Sequence, residues 1–372
     1  MKNGLKFLDS DLHIYEPDDL WVKYMPAEMR EDAPRGISKF TRDPSIEWRG
    51  VQLPKRPPAT QQTFAKKVEG QTDRYASDAA RGWDNVAQLA AMDKEGIDCA
   101  VLYPTRALFA MAFGDMPPRV ASAIARAYND WLFDFCKGDP KRLLGAAVLA
   151  PHSIPDAVAE ARRAVEELGF TAVVMRPNPI GDVYWHHEAF DPLWTELERL
   201  NVPVCFHEGG AGNVPIESTG KRFGGVFMLG HVVSHPLEMM QACVAMCSGG
   251  VLERFKKLRV GFLEANCAWV PWLLWRMDEH AEFAGKTGAS HLSKPPSAYF
   301  KERCVVSVES DEDIAKEAIA SLDGENVVFS TDYPHMDSKY PHAADRFFKL
   351  GLAAEHNRKI LWDNCAKLYG LT

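Results

Sequence analysis

Short runs rich in β-branched residues recur along this chain and alternate with longer amphipathic stretches, the pattern of a parallel α/β protein. Eight runs predict strands: Lys6–His13, Cys99–Thr105, Leu144–Ala150, Ala172–Arg176, Val202–His207, Arg259–Glu264, Cys304–Val308 and Val327–Asp332. The stretches between them predict helices. Clear examples are Ser153–Leu168, Asp191–Leu200 and Pro236–Phe255, with one ending over Met92–Gly96 and a closing one over Asn357–Leu368. Residues 18–80 break the pattern. They are rich in Pro, Arg and Lys and carry no clear period. They predict an insertion after the first strand that acts as a lid or a dimerisation arm, within one domain spanning 1–372.

Three of the predicted strands run into reactive side chains. D-S-D-L-H-I-Y-E-P at 9–17, V-C-F-H-E-G-G at 204–210 and F-S-T-D-Y-P-H at 329–335 each pass from apolar to acidic and imidazole residues. Strand ends so far apart in sequence converge only if the sheet closes on itself. The fold expected is therefore an α/β (β/α)8 TIM barrel with a long insertion after strand 1, whose site lies at the carboxyl ends of the strands. Asp11 and His13 are two apart, so a strand presents them on one side. Together with His207 and Asp332 they form a set of two imidazoles and two carboxylates, a home for one divalent metal ion, Zn2+ or Mn2+.

Composition narrows the classes. Of 372 residues, 46% are hydrophobic and 25% charged, which is ordinary for a globular enzyme with a large core. The net charge of −8, without a basic stretch, argues against nucleic acid or an anionic membrane as partner. The eight cysteines form no C-x-x-C and several fall in apolar strands, so buried free thiols and a cytoplasmic location are expected. The first residues lack a signal-peptide core, and no apolar run reaches about 18 residues. No G-x-G-x-x-G or P-loop occurs, so a nucleotide cofactor is not indicated.

The order of motifs resembles the decarboxylase-type branch of the amidohydrolase superfamily, sometimes called amidohydrolase family 2. Aminocarboxymuconate semialdehyde, resorcylate and carboxyvanillate decarboxylases belong to that branch. The likeness is carried by D-L-H-x-x-E-P at 11–17, M-D-K-E-G-I-D-C-A-V-L-Y-P-T at 92–105, A-Y-N-D-W at 127–131 and F-H-E-G-G at 206–210. It continues through S-G-G-V-L-E-R-F-K-K-L-R-V-G-F-L-E-A at 248–265, S-T-D-Y-P-H at 330–335 and N-C-A-K-L-Y-G at 364–370. The resemblance implies a single divalent ion held by Asp11, His13, His207 and Asp332. It also implies a homodimer and a small carboxylated substrate. One departure stands out: better-studied members end strand six in a His that serves as acid/base, and this chain has Glu264 there.

Several side chains remain to be placed. His235, in M-L-G-H-V-V-S-H-P at 228–236, is read as preceding a helix and reaching the site from the loop after strand five. It is the favoured proton shuttle, with Glu264 orienting a ligand and Asp332 a further acid/base candidate. Arg176 at the end of strand four is a candidate for binding a substrate carboxylate, or a rim salt bridge. Glu16 and His335 are candidate partners of the ligands. His231 has helical spacing to His235, but a second metal is not expected. Trp269 and Trp272 read as core or as a pocket wall, and His186 and His187 as loop residues. The expected activity is non-oxidative decarboxylation of a small aromatic or unsaturated acid. The alternatives are metal-dependent hydrolysis of an amide, ester, lactone or C–C bond and, more remotely, a non-catalytic ligand-binding barrel.

Overall fold

The computed structural model describes residues 1–55, 58–207, 223 and 226–371. Eight strands line up in chain order: β1 Leu8–His13, β2 Cys99–Tyr103, β3 Leu143–Val148, β4 Ala172–Met175, β5 Val204–His207, β6 Val260–Leu263, β7 Cys304–Val308 and β8 Val327–Phe329. All seven neighbouring pairs from β1 to β8 are parallel. Closure runs through the last strand. Ser10 Oγ donates to the Phe329 carbonyl at 2.7 Å, and the His13 N–H to the Tyr333 carbonyl at 2.8 Å. The Asp332 N–H donates to the Asp11 carbonyl at 3.3 Å. The buried Asp9 carboxylate takes the Thr331 hydroxyl at 2.5 Å and the Thr331 N–H at 3.3 Å. The result is the expected (β/α)8 barrel.

The strands are almost wholly buried, as parallel strands covered by helices must be. Several predicted strands run a residue or more too far. The backbone leaves the ladder before Glu264 and Asp332, which adopt left-handed φ values of 52° and 54°. Four helices matter below: α1 Ile154–Glu166, α2 Asp191–Leu200, α3 Phe227–Cys247 and α4 Val270–Gly288. Helix α1 starts where Ser153 Oγ accepts the Asp156 N–H. Helix α3 differs from expectation. It begins nine residues before Pro236, carries that proline in its interior, and ends at Cys247, just before Gly249 and Gly250. His235 is thus an interior helical residue rather than a loop residue. All eight cysteines are buried free thiols. Among the described residues no helix is long and apolar enough to cross a membrane.

The stretch 18–80 is built of short pieces, which explains its lack of period. Helix Leu20–Tyr24 and a three-stranded antiparallel sheet (Arg35–Gly36, Ile46–Trp48, Val51–Leu53) precede helices Pro58–Glu69 and Thr72–Ala80. Residues 56 and 57 of this insert lie outside the described residues. Its inner side is fastened to the segment after β8. The buried Arg42 guanidinium donates to the Pro334 carbonyl at 2.8 Å, the His335 carbonyl at 3.3 Å and Gln71 Oε1 at 2.6 Å, and stacks 3.9 Å over the Tyr75 ring. Gln71 donates to the Met336 carbonyl at 2.9 Å and Arg74 to the Tyr340 carbonyl at 2.9 Å. Arg106 ties the insert's beginning, donating to the Glu16 carbonyl at 2.6 Å and to Asp18 at 2.5 Å.

Candidate metal centre and active site

Closure of the barrel brings Asp11, His207 and Asp332 around the His13 imidazole at its carboxyl end. His13 Nδ1 lies 2.9 Å from the Pro104 carbonyl. A carbonyl only accepts, so Nδ1 carries the proton and Nε2 keeps a lone pair. That Nε2 lies 3.0 Å from His207 Nε2, 3.5 Å from Asp11 Oδ1 and 3.6 Å from Asp332 Oδ1. His207 Nε2 is 3.1 Å from Asp11 Oδ1. Burial, then the nearby rings of His335 and His207, hold the His13 imidazole well below its usual range, so it stays neutral.

Both carboxylate oxygens of Asp11 are buried without a hydrogen-bond donor. An ionised carboxylate left so is costly. The donor atoms fall into two overlapping groups, Asp11/His13/His207 and His13/Glu264/Asp332/His335, each within 4.8 Å of one another. Carboxylate oxygens without a donor beside imidazole nitrogens fit a divalent cation.

Around this point the other predicted residues divide. Glu264 Oε2 is 3.3 Å from His207 Nε2, and its Oε1 is 3.8 Å from His235 Nε2. The Glu264 carboxylate therefore stands between the imidazole of β5 and the imidazole of α3. Its backbone N–H donates to Ser307 Oγ at 2.8 Å, which holds the left-handed turn. Burial, then the carboxylates of Asp332 and Asp11, push the Glu264 carboxyl well above the usual range. Burial, then Asp337 and Asp11, do the same to Asp332. His335 Nδ1 meets Asp332 Oδ1 at 2.7 Å, its Nε2 meets Thr105 Oγ1 at 3.1 Å, and its ring stacks 3.9 Å from that of His13.

Glu16 is one step removed. Its buried carboxylate accepts the N–H groups of Thr105, Arg106 and Ala107 at 3.2, 2.9 and 3.0 Å, and so fixes the loop that carries Thr105. Arg176 is buried beyond β4 and donates to the Leu108 carbonyl at 3.3 Å and to Asn178 Oδ1 at 3.1 Å. Asn178 donates in turn to Glu238 of α3 at 2.8 Å. His231 packs against His235 with ring centroids 4.7 Å apart. Trp269 is buried, but Trp272 faces outward, so it is neither core nor pocket wall. His186 and His187 are exposed. Glu208, Gly209 and Gly210 of the strand-five motif lie outside the described residues.

Two carboxylates at the mouth were not anticipated. Glu309 follows β7, and its carboxyl is pushed up by burial and then by Asp332 and Asp337. The signal existed: V-V-S-V-E at 305–309 is an apolar run ending in an acid, like the three motifs that were singled out. Asp337, five residues past Asp332, had no such mark.

Known proteins resemble this chain in sequence and in fold. The chain is 28% identical over 297 residues to the gamma-resorcylate decarboxylase of Rhodococcus jostii (strain RHA1), covering 76% of this chain and 87% of that protein. An amidohydrolase from Mycobacterium avium subsp. paratuberculosis K-10 shares the fold with a TM-score of 0.78 at 20% identity, covering 99% of this chain and all of that one. A dihydroxybenzoic acid decarboxylase from Polaromonas sp. JS666, with bound manganese and the inhibitor 2-nitroresorcinol, superposes with a TM-score of 0.69 at 19% identity over 99% and 97% of the two chains. The amidohydrolase family model matches residues 9–371, nearly the whole chain, and the protein belongs to that family.

Proposed function

We propose that this enzyme is a metal-dependent carboxy-lyase that removes CO2, without oxidation, from a small aromatic or unsaturated carboxylic acid. The observation that carries the reading is the convergence of two imidazole Nε2 atoms at 3.0 Å beside the unpaired Asp11 carboxylate, in a chain whose relative over most of its length is a decarboxylase. Asp11, His13, His207 and Asp332 would hold one divalent cation, and the carboxylate share of the set, with the manganese in the Polaromonas enzyme, favours Mn2+ over Zn2+. When bound, the ion supplies positive charge that stabilises negative charge growing on a substrate oxygen next to the carboxylate.

The chain's own groups do the rest. Glu264, 3.3 Å from His207 Nε2 at the edge of the donor set, delivers a proton to the carbon that bears the carboxylate. The C–C bond then breaks, its electron pair returns to the unsaturated system, and CO2 departs. His235, whose Nε2 lies 3.8 Å from Glu264 Oε1, returns a proton to it. His335 holds Asp332 in orientation, and Arg176 is the candidate for the substrate's anionic end. The insert 18–80, bound to the segment after β8, serves as a lid.

The test is direct. Manganese-loaded protein is offered a panel of hydroxybenzoates, including 2,6-dihydroxybenzoate, and CO2 and the decarboxylated product are measured. Stoichiometric release from one member supports the reading. Hydrolysis of an ester or lactone panel with no CO2 from any acid would overturn it.

A further inference from the structure

Glu312 is a buried carboxylate to which the proposed reaction gives no part. No cation among the described residues pairs with it, which is unusual for an anion taken out of water. Its partners are main-chain N–H groups. Oε1 accepts those of Cys267 and Ala268, both at 3.0 Å, and Oε2 accepts those of Cys267 at 3.1 Å and Glu309 at 3.4 Å. Cys267 and Ala268 stand just before α4, so the carboxylate also faces the positive end of that helix. One side chain thus holds two loops of the mouth: the loop after β6, which carries Glu264, and the loop after β7, which carries Glu309.

The turn after β6 needs such holding. Glu264 and Asn266 both adopt left-handed backbone, with φ of 52° and 59°. Residues other than glycine stay there only where their surroundings fix them. Three anchors do so. The Glu264 N–H donates to Ser307 Oγ at 2.8 Å, the Ala265 carbonyl accepts the Trp269 indole N–H at 2.9 Å, and the Cys267 N–H donates to Glu312. Ser307 belongs to β7 and Glu312 to the segment after it. Both ends of the turn therefore hang on the neighbouring strand.

We propose that Glu312 is a positioning residue: through the N–H groups of Cys267 and Ala268 it sets the turn that places the Glu264 carboxylate between His207 and His235. This role rests on Glu264 being the acid of the proposed reaction. A cap for α4 alone would need only the N–H groups at that helix. The further bond to the Glu309 N–H ties the β6 and β7 loops to each other, which capping does not require. The tie matters because a shift of about 1 Å at a reacting group can cost about 10²-fold in rate.

The test compares Glu312→Gln, Glu264→Gln and the double variant as metal-loaded full chains. The amide keeps one acceptor oxygen, so the fold should survive. Ser307→Ala, which removes the other anchor, is a second route to the same turn. Hydrogen–deuterium exchange resolved to single amides should quicken at Cys267 and Ala268 in Glu312→Gln. It should quicken as well at Glu264, whose N–H bonds to Ser307 rather than to Glu312. The kcat of Glu312→Gln should fall by about 10–10²-fold, with KM and metal content little changed. In the Glu264→Gln background the same substitution should cost nothing further, since the two residues act as a unit. The proposal fails if Glu264 stays as protected as in wild type while Cys267 and Ala268 open, which would leave Glu312 as a helix cap. It also fails if Glu312→Gln lowers kcat by one factor with and without Glu264. Wild-type turnover in Glu264→Gln alone would instead overturn the acid role, and exchange at Glu264 would then decide the positioning role by itself.

Discussion

His13 and His207 point their Nε2 atoms at each other across 3.0 Å, with the Nδ1 proton of His13 committed to the Pro104 carbonyl. Asp11 Oδ1 lies 3.1 Å from the same His207 nitrogen. The three atoms form a donor set that one divalent cation can bind together.

The first prediction follows from it. Purified wild type should hold about one equivalent of divalent metal, and His207→Ala should lose most of it, since one strong ligand of four is gone. Elemental analysis of both proteins decides the matter. Equal metal content would remove β5 from the site.

The second concerns the proton. In the proposed reaction Glu264 is the acid, and His235 Nε2 lies 3.8 Å from its carboxylate. Glu264→Gln should lower kcat by about 10²–10⁴. His235→Asn should lower it less, and its activity should recover partly with added imidazole. Metal content is measured alongside, because Glu264 also touches His207. The opposite ranking would make the helix α3 imidazole the donor.

The third concerns the insert. Arg42 bonds two backbone carbonyls just past Asp332 and lies flat on Tyr75. Arg42→Ala should destabilise the protein by about 2–3 kcal/mol, because buried carbonyls lose charged donors. It should also cut kcat more than it raises KM, since His335 loses the contact that fixes its backbone. Arg42→Lys should rescue little, as an ammonium cannot reproduce the planar fork. Thermal unfolding and steady-state kinetics test both halves.

The fourth is a pH effect on stability far from the site. Glu196 of α2 is buried between Arg199, at 2.7 Å, and Arg162, at 2.8 Å. These partners, Arg199 first, pull its carboxyl down to about 2 from an ordinary 4.5. A depressed acid stabilises the fold above its unfolded value and loses that contribution as pH falls toward the folded one. With both arginines about half exposed, the contribution is about 1 kcal/mol. Urea melts of wild type and Glu196→Gln should differ by that much at pH 7 and converge between pH 4.5 and 2. A pH-independent gap would assign the loss to packing alone.

Much of this was legible before any coordinates. Period and composition located all eight strands, and the three acidic and imidazole motifs came together where a closed barrel requires. Local signals failed where distant parts decide. Pro236 reads as a helix start because its missing N–H costs nothing there. Apolar residues on both sides carry the helix through it regardless. The insert could not be read because its strands are two or three residues long and its fastening, Arg42 to Pro334, joins segments 292 residues apart. Glu264 was seen as a departure from relatives, but its place between His207 and His235 depends on a backbone turn that strand periodicity does not encode.

That turn has a consequence for how the protein can change. Glu264 occupies left-handed backbone, φ 52°, where an ordinary L-residue costs about 1–2 kcal/mol and glycine costs almost nothing. A library screened for heat resistance alone should therefore drift toward glycine or asparagine at this position and lose turnover as it does so. Only selection on chemistry would keep the glutamate. Thermostability and catalysis are set against each other at one residue, and a lineage that abandoned the reaction would betray itself there first.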